Sequence, residues 1–210
     1  MQLSPFGRFV VDALTWRVRV IADSQLAILA TEGSDVKKEL DSLIRKRVLE
    51  AFPMPVSLLT LESPLYSWDP AHSVEPDYGK ICWQAEQRFR KCPAARHIVF
   101  HATKLAERQF GGVGGKIRQP FQLVHDLGTA SVFVAHTMAH EQTDESGWTS
   151  EDILRRYFRH LNLRKIPDAL IIKNDKPFSV IEFVGKDYSV SQIRRFHFYW
   201  AKKNTPYQLW

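Results

Sequence analysis

The chain has 210 residues, 44% of them hydrophobic and 25% charged, and carries a net charge of +6. That length can bury one large core or two small ones, and the composition is that of an ordinary globular protein rather than a disordered or fibrous one. No apolar run reaches the roughly 18 to 20 residues needed to span a bilayer. Arg8, Asp12, Arg17 and Arg19 interrupt the N-terminus, so no secretory signal and no membrane partner are expected. Cys82 and Cys92 are the two cysteines, and their spacing fits neither a disulfide framework nor a zinc pattern; the expectation is a reducing, cytoplasmic location.

Ser4-Pro5 is a helix opening, a capping hydroxyl followed by proline in the first turn. Phe6, Phe9, Val10, Ala13, Leu14 and Trp16 follow at helical spacing. Asp23-Ser24 caps a short second helix, QLAILA, expected to stop at Gly33. Ser34-Asp35 opens a third, over 35–52, with Val36, Leu40, Leu43, Ile44, Val48 and Leu49 on one face and Pro53 and Pro55 beyond it. Two extended runs, VSLLTLE (56–62) and PLYSW (64–68), are close enough to pair as a hairpin.

Three helices followed by a hairpin is the order of a winged helix-turn-helix. In that reading the third helix enters the major groove of double-stranded DNA with Lys37, Lys38, Arg45, Lys46 and Arg47. The competing reading is a small helical bundle with a solvated charged face, because Asp35, Glu39, Asp41 and Glu50 nearly cancel these cations.

From Asp69 onward DPAHSVEPD reads as a loop, YGKICWQAEQRFRKC as an amphipathic helix, HIVFHA as a strand, and TKLAERQFGG as a helix ending at glycine. GGVGGK (111–116) lacks the glycine spacing of a phosphate loop, and Ile117 stands where Ser or Thr would bind magnesium, so no nucleotide cofactor is expected. The segment reads as a linker. The division expected is 1–70 as the winged helix, 71–119 as a connecting region and 120–210 as a second domain.

After Gln122 comes a buried helix, then EDILRRYFRHL capped by Ser150, strands at DALIIK (168–173) and FSVIEFVG (178–185), a helix over Val190–Lys203, and PYQLW as a closing strand. The order indicates an α/β (α+β) core. Between Ile153 and Lys203 twelve Lys and Arg stand against four acids, a local charge of +8 in a chain of +6. Such a segment points to a polyanion, since phosphate neutralisation is the general source of nucleic-acid affinity.

Pro167-Asp168 heads one of these strands and Glu182 lies inside the next. Carboxylates on adjacent strands supply the hard oxygen ligands that hold Mg²⁺ or Mn²⁺ at a scissile phosphate, and a nearby lysine offsets developing charge. IPDALII followed by VIEFVGK resembles the Pro-Asp, spacer, Glu-x-Lys pattern of metal-dependent nucleases. With VIADSQLAIL near the N-terminus, VHDLGTASVFVAH in the buried helix and the ending VIEFVGKDYSVSQIRRFHFY, it resembles the replication-relaxation family of plasmid and mobile-element proteins. That resemblance covers about half the chain. It implies a winged helix-turn-helix fused to a restriction-endonuclease-like domain, and DNA binding linked to replication, maintenance or mobility of extrachromosomal elements.

The sequence departs from the nuclease pattern at one position. Val184 stands where the lysine belongs, two residues after Glu182, and Lys186 lies two further on, about 13 Å from Glu182 along an ideal strand. Either Gly185 bends Lys186 back to make it the third catalytic residue beside Asp168 and Glu182, or Arg194 or Arg195 substitutes, or the core binds DNA without cutting. In the last case it is a regulator or assembly factor that uses a nuclease-like fold for homodimerisation or docking.

Other groups fit structural roles better. His136 and His140, with Glu141, have a spacing that can bind zinc, but solvated helix histidines are the commoner outcome. Glu141 or Glu151 would be a third carboxylate from the preceding helix. His125-Asp126 reads as a helix cap and Gln192 as an exposed first-turn residue, while Phe196, Phe198, Tyr199 and Trp200 read most simply as core, with stacking on unpaired bases as the alternative that nothing in the sequence supports.

Overall fold

The computed structural model describes residues 2–30, 35–72, 74–115, 120–139, 147–173 and 176–210. In chain order the elements are α1 (Pro5–Asp12), a π-helical turn (Ala13–Arg17), β1 (Ile21–Ala22), α2 (Asp23–Leu29), α3 (Val36–Arg45), β2 (Leu49–Val56) and β3 (Tyr66–Trp68). There follow α4 (Tyr78–Arg90), β4 (Ala95–Ala102), α5 (Lys104–Phe110), α6 (Pro120–Ala139), β5 (Trp148–Ser150) and α7 (Glu151–Tyr157). The chain closes with β6 (Ala169–Lys173), β7 (Lys176–Glu182), α8 (Val190–Ala201) and β8 (Tyr207–Leu209). The protein is mixed α/β, with helices and two sheets.

Two compact units divide the chain, each assembled from two stretches: Met1–Leu58 with Ala94–Ala139, and Leu59–Pro93 with His140–Trp210. This cuts across the consecutive division at 70 and 119 expected from the sequence, because the strand partners are distant along the chain. β2 does not pair with the segment just after it. It pairs antiparallel with β4, Leu49 opposite Ala102 through Val56 opposite Ala95.

In the first unit β4 is the centre of a three-stranded sheet ordered β1-β4-β2. Ser4 caps α1 by accepting from the Gly7 amide at 2.9 Å, and Asp35 caps α3 by accepting from the Lys38 amide at 3.0 Å. α3 is shorter than the helix expected over 35–52. Arg47 adopts a left-handed φ of 59°, which stops the helix and turns the chain into β2. Pro53 and Pro55 sit within that strand, tolerated because β2 is at the sheet edge. Gly33 and Ser34, the expected helix stop and start, lie outside the described residues.

The glycine segment after α5 is part of this unit rather than a linker. The Val113 amide donates to the Thr15 carbonyl at 2.7 Å and the Gly115 amide to the Ala102 carbonyl at 2.8 Å. Gly112, at φ 75°, lies so close to the Thr15 carbonyl that a Cβ would stand 2.2 Å from its oxygen. The interior packs Val20, Ala22, Val56 and Val99 against Leu123 and Leu127 of α6.

The second unit is built on a five-stranded sheet ordered β3-β8-β7-β6-β5. β7 and β8 are parallel, and the other neighbours are antiparallel. Parallel neighbours need a crossover, and α8 provides it. The hairpin expected between residues 56 and 68 does not form; β3 pairs instead with β8, Tyr66 opposite Leu209. Core residues include Trp68, Leu170, Val180, Val184, Trp200 and Tyr207, with Ile81 and Ala85 from α4 and Ile193 and Phe196 from α8. Burying one such large apolar side chain contributes roughly 1.5–3 kcal/mol.

Candidate active site

β6 and β7 pair with Ala169 opposite Ile181 and Leu170 opposite Val180. One step outward, that register sets Asp168 opposite Glu182, at the end of both strands. The Asp168 amide approaches Glu182 Oε2 at 3.4 Å, and Asp168 Oδ2 accepts from the Phe183 amide at 2.8 Å. Each carboxylate is therefore held by the backbone next to the other. Pro167, buried, fixes the approach of the chain to Asp168.

Glu182 is fixed from its other side too. The Trp210 amide donates to the Glu182 carbonyl at 2.9 Å and the Val184 amide to the Trp210 carbonyl at 2.7 Å. Val184 is 1% exposed and belongs to the apolar core, so a lysine in its place would enter the interior. Lys186 lies in the turn between β7 and α8, exposed to solvent. The strand assigned from sequence through Gly185 stops at Glu182.

Sequence reasoning missed one residue that contacts this pair and one whose titration responds to its charge. The Tyr188 hydroxyl donates to Glu182 Oε1 at 3.0 Å. Burial, then the charges of Glu182 and Asp168, then that hydrogen bond and the charge of Glu151, drive the phenol far above its ordinary range, so it remains protonated. Lys165 is the second. It is partly buried with its Nζ 5.5 Å from the Phe196 ring centroid. Burial lowers its pKa, the Glu182 charge opposes that shift, and Arg195 adds to it. Neither residue had a pattern to mark it: Tyr188 follows a turn, and Lys165 lies three residues before Asp168 on no regular element.

Glu151, weighed as a third carboxylate, is the first residue of α7, and its amide donates to the Asp168 carbonyl at 3.0 Å. Its carboxylate also engages Arg155, with Oε1 at 2.6 Å from Nη2. Among the described residues no group of three or more His, Cys, Asp or Glu is placed to hold a metal ion. Two carboxylates nonetheless suit Mg²⁺, which keeps several waters and binds through one or two carboxylates plus substrate phosphate.

The remaining candidates fall as follows. Lys37, Lys38 and Arg45 are exposed on α3, beside Asp41. Lys46 and Arg47 lie beyond its end, and Lys46 Nζ donates to the Gln2 carbonyl at 3.1 Å. Arg194 and Arg195 are exposed on α8, and the Arg194 guanidinium lies 5.3 Å from the Tyr78 ring centroid. Gln192 completes the α8 cap, accepting from the Ser189 amide at 2.8 Å. Asp126 is no cap: it sits within α6 and pairs with Arg19 at 2.9 Å. His136 is 8% exposed rather than solvated, and His140 and Glu141 lie outside the described residues. Phe196 and Trp200 are core, but Phe198 is 56% exposed.

Comparison with protein-family models, with characterised proteins and with solved structures finds no match.

Proposed function

We propose that this is a DNA-binding protein of the replication-relaxation type, with a Mg²⁺- or Mn²⁺-dependent nuclease site in its second unit. The observation that carries the reading is the facing pair Asp168 and Glu182, fixed by backbone hydrogen bonds at the end of β6 and β7. The two carboxylates would hold the metal, which when bound would polarise a scissile phosphate and activate water. Tyr188 keeps Glu182 oriented and, staying protonated, adds no negative charge. Lys165, partly buried and responsive to the Glu182 charge, would be the cation that stands in for the lysine replaced by Val184.

The first unit supports the DNA-binding half of this reading. Its order α1, β1, α2, α3, β2, β4, with the sheet ordered β1-β4-β2, is compatible with a winged helix. α3 would then be the helix in the major groove, carrying Lys37, Lys38 and Arg45 outward.

A second reading, a non-catalytic DNA-binding regulator whose nuclease-like unit serves for dimerisation or docking, is favoured by the buried Val184. Metal binding separates the two. Mn²⁺ should raise the thermal midpoint of the wild type by mass action on the folded state, and Asp168→Ala should abolish the rise. A wild type indifferent to Mn²⁺ would leave the regulator.

A further inference from the structure

α8 buries Ile193, Phe196, His197 and Trp200 and turns a second face outward. Ser191, Arg195, Phe198 and Lys202 are all exposed at spacings of four, three and four residues, so they form one stripe along the helix. Phe198 stands at its middle, 56% exposed. Arg195 and Lys202 flank it, two turns or roughly 10 Å apart along the axis. From Ser189 to Asn204 the chain contains no Asp or Glu.

A charged helix face is usually a solvated surface, and one exposed phenylalanine is unremarkable alone. Here the two coincide, and the cations of this region already lie against aromatic rings. Arg194 lies 5.3 Å from the Tyr78 centroid, Lys203 5.4 Å from Tyr199 and Lys165 5.5 Å from Phe196. Phe198 is the ring in the stripe left open to solvent.

We infer that this face of α8 is a docking track for an unpaired DNA strand, with Phe198 stacking on a base and Arg195 and Lys202 contacting the phosphates on either side. Duplex DNA offers phosphates but keeps its bases stacked inside, so an exposed ring between two cations has no partner on it. Single strands present both, and stacking tolerates any base because every base has a π-face. The inference rests on the DNA-binding part of the proposed function and not on cleavage.

The test is fluorescence anisotropy of the 210-residue protein in EDTA, with a labelled oligothymidylate and a labelled hairpin duplex. Phe198→Ala should weaken oligothymidylate binding about tenfold while leaving duplex affinity unchanged. Phe198→Trp should retain the affinity. Arg195→Ala/Lys202→Ala should reduce the slope of log affinity against log salt for the single strand by about 1.4. Phe178→Ala, which removes another phenylalanine, 54% exposed, should change nothing. Circular dichroism will report whether each variant stays folded. Unchanged binding in Phe198→Ala, an equal loss on duplex and single strand, or failure of Phe198→Trp to retain affinity would overturn the track. A wild type that binds duplex but no oligothymidylate would overturn it too and leave the proposed function standing. Binding to neither would remove both.

Discussion

The Tyr188 hydroxyl donates to Glu182 Oε1 at 3.0 Å, so the acid at the end of β7 is oriented by a phenol from the turn that follows it. Burial and the Glu182, Asp168 and Glu151 carboxylates keep that phenol protonated and therefore a permanent donor. Tyr188→Phe should keep the ring and remove the bond. The expected loss is about 1–2 kcal/mol of folding stability, read from urea unfolding, with a several-fold weaker response to Mn²⁺. A variant as stable and as metal-responsive as wild type would show that the bond does not position Glu182.

Val184 occupies the position where the nuclease pattern has lysine, yet it is 1% exposed within the core. Val184→Lys should therefore complete the motif without producing a working site. A charge forced among Leu170, Val180 and Tyr207 should cost on the order of 3 kcal/mol or more, measured by thermal or urea unfolding. If the variant folds normally and gains metal-dependent activity, the interior placement of this position is wrong.

His197 is 7% exposed, with its Nδ1 2.8 Å from the Tyr207 hydroxyl and its ring against Trp68 and Tyr78. Burial lowers its pKa below the ordinary 6.5, opposed in part by the charge of Glu75. The folded state therefore prefers neutral imidazole. Its contribution to stability is complete above pH 6.5 and is lost as pH falls from there through the lowered value. Urea midpoints measured downward from neutral pH should fall more steeply in wild type than in His197→Gln. Parallel profiles would exclude His197 as the source.

On α3, Lys37, Lys38 and Arg45 are exposed, whereas Lys46 and Arg47 lie past the helix end. Lys37→Glu/Lys38→Glu/Arg45→Glu should weaken duplex binding and reduce its salt slope by about 2 to 3, since each phosphate that is no longer neutralised removes about 0.9. An unchanged slope would take α3 out of the interface.

Local signals carry most elements. The amphipathic pattern of α4, the apolar run of β4 and the Ser189–Gln192 start of α8 all read directly from neighbouring residues. Long-range pairing does not. β2 continues the apolar face of α3 through Val48 and Leu49 and contains two prolines, so nothing local separates it from a helix ending; its identity comes from β4, far along the chain. β3 likewise depends on β8 at the C-terminus. This is also why the chain divides into discontinuous units rather than consecutive ones.

At the site, Pro167-Asp168 and Glu182 are legible as acids on two neighbouring strands, but their facing is not: it needs the register shift between Ile171 and Ile172, without which Asp168 would stand opposite Ile181. The position of Lys186 is not legible either, because an ideal extended strand carries it onward from Glu182, whereas β7 ends at Glu182 and the chain turns at Lys186. Tyr188 reaches the pair from a turn and Lys165 lies on an irregular segment, where no periodicity exists to read. Phe198 has aromatic neighbours that suggest a core position, but helical spacing turns it away from Phe196 and Trp200 and into solvent.

The most direct measurement is cleavage of supercoiled plasmid by wild type and by Asp168→Asn/Glu182→Gln, in Mg²⁺, Mn²⁺ or EDTA. The expected result is nicking by wild type that requires metal and is absent in the double variant. A wild type that shifts the plasmid but never cuts it under any metal, or cutting that survives the double variant, would contradict a nuclease site at Asp168 and Glu182.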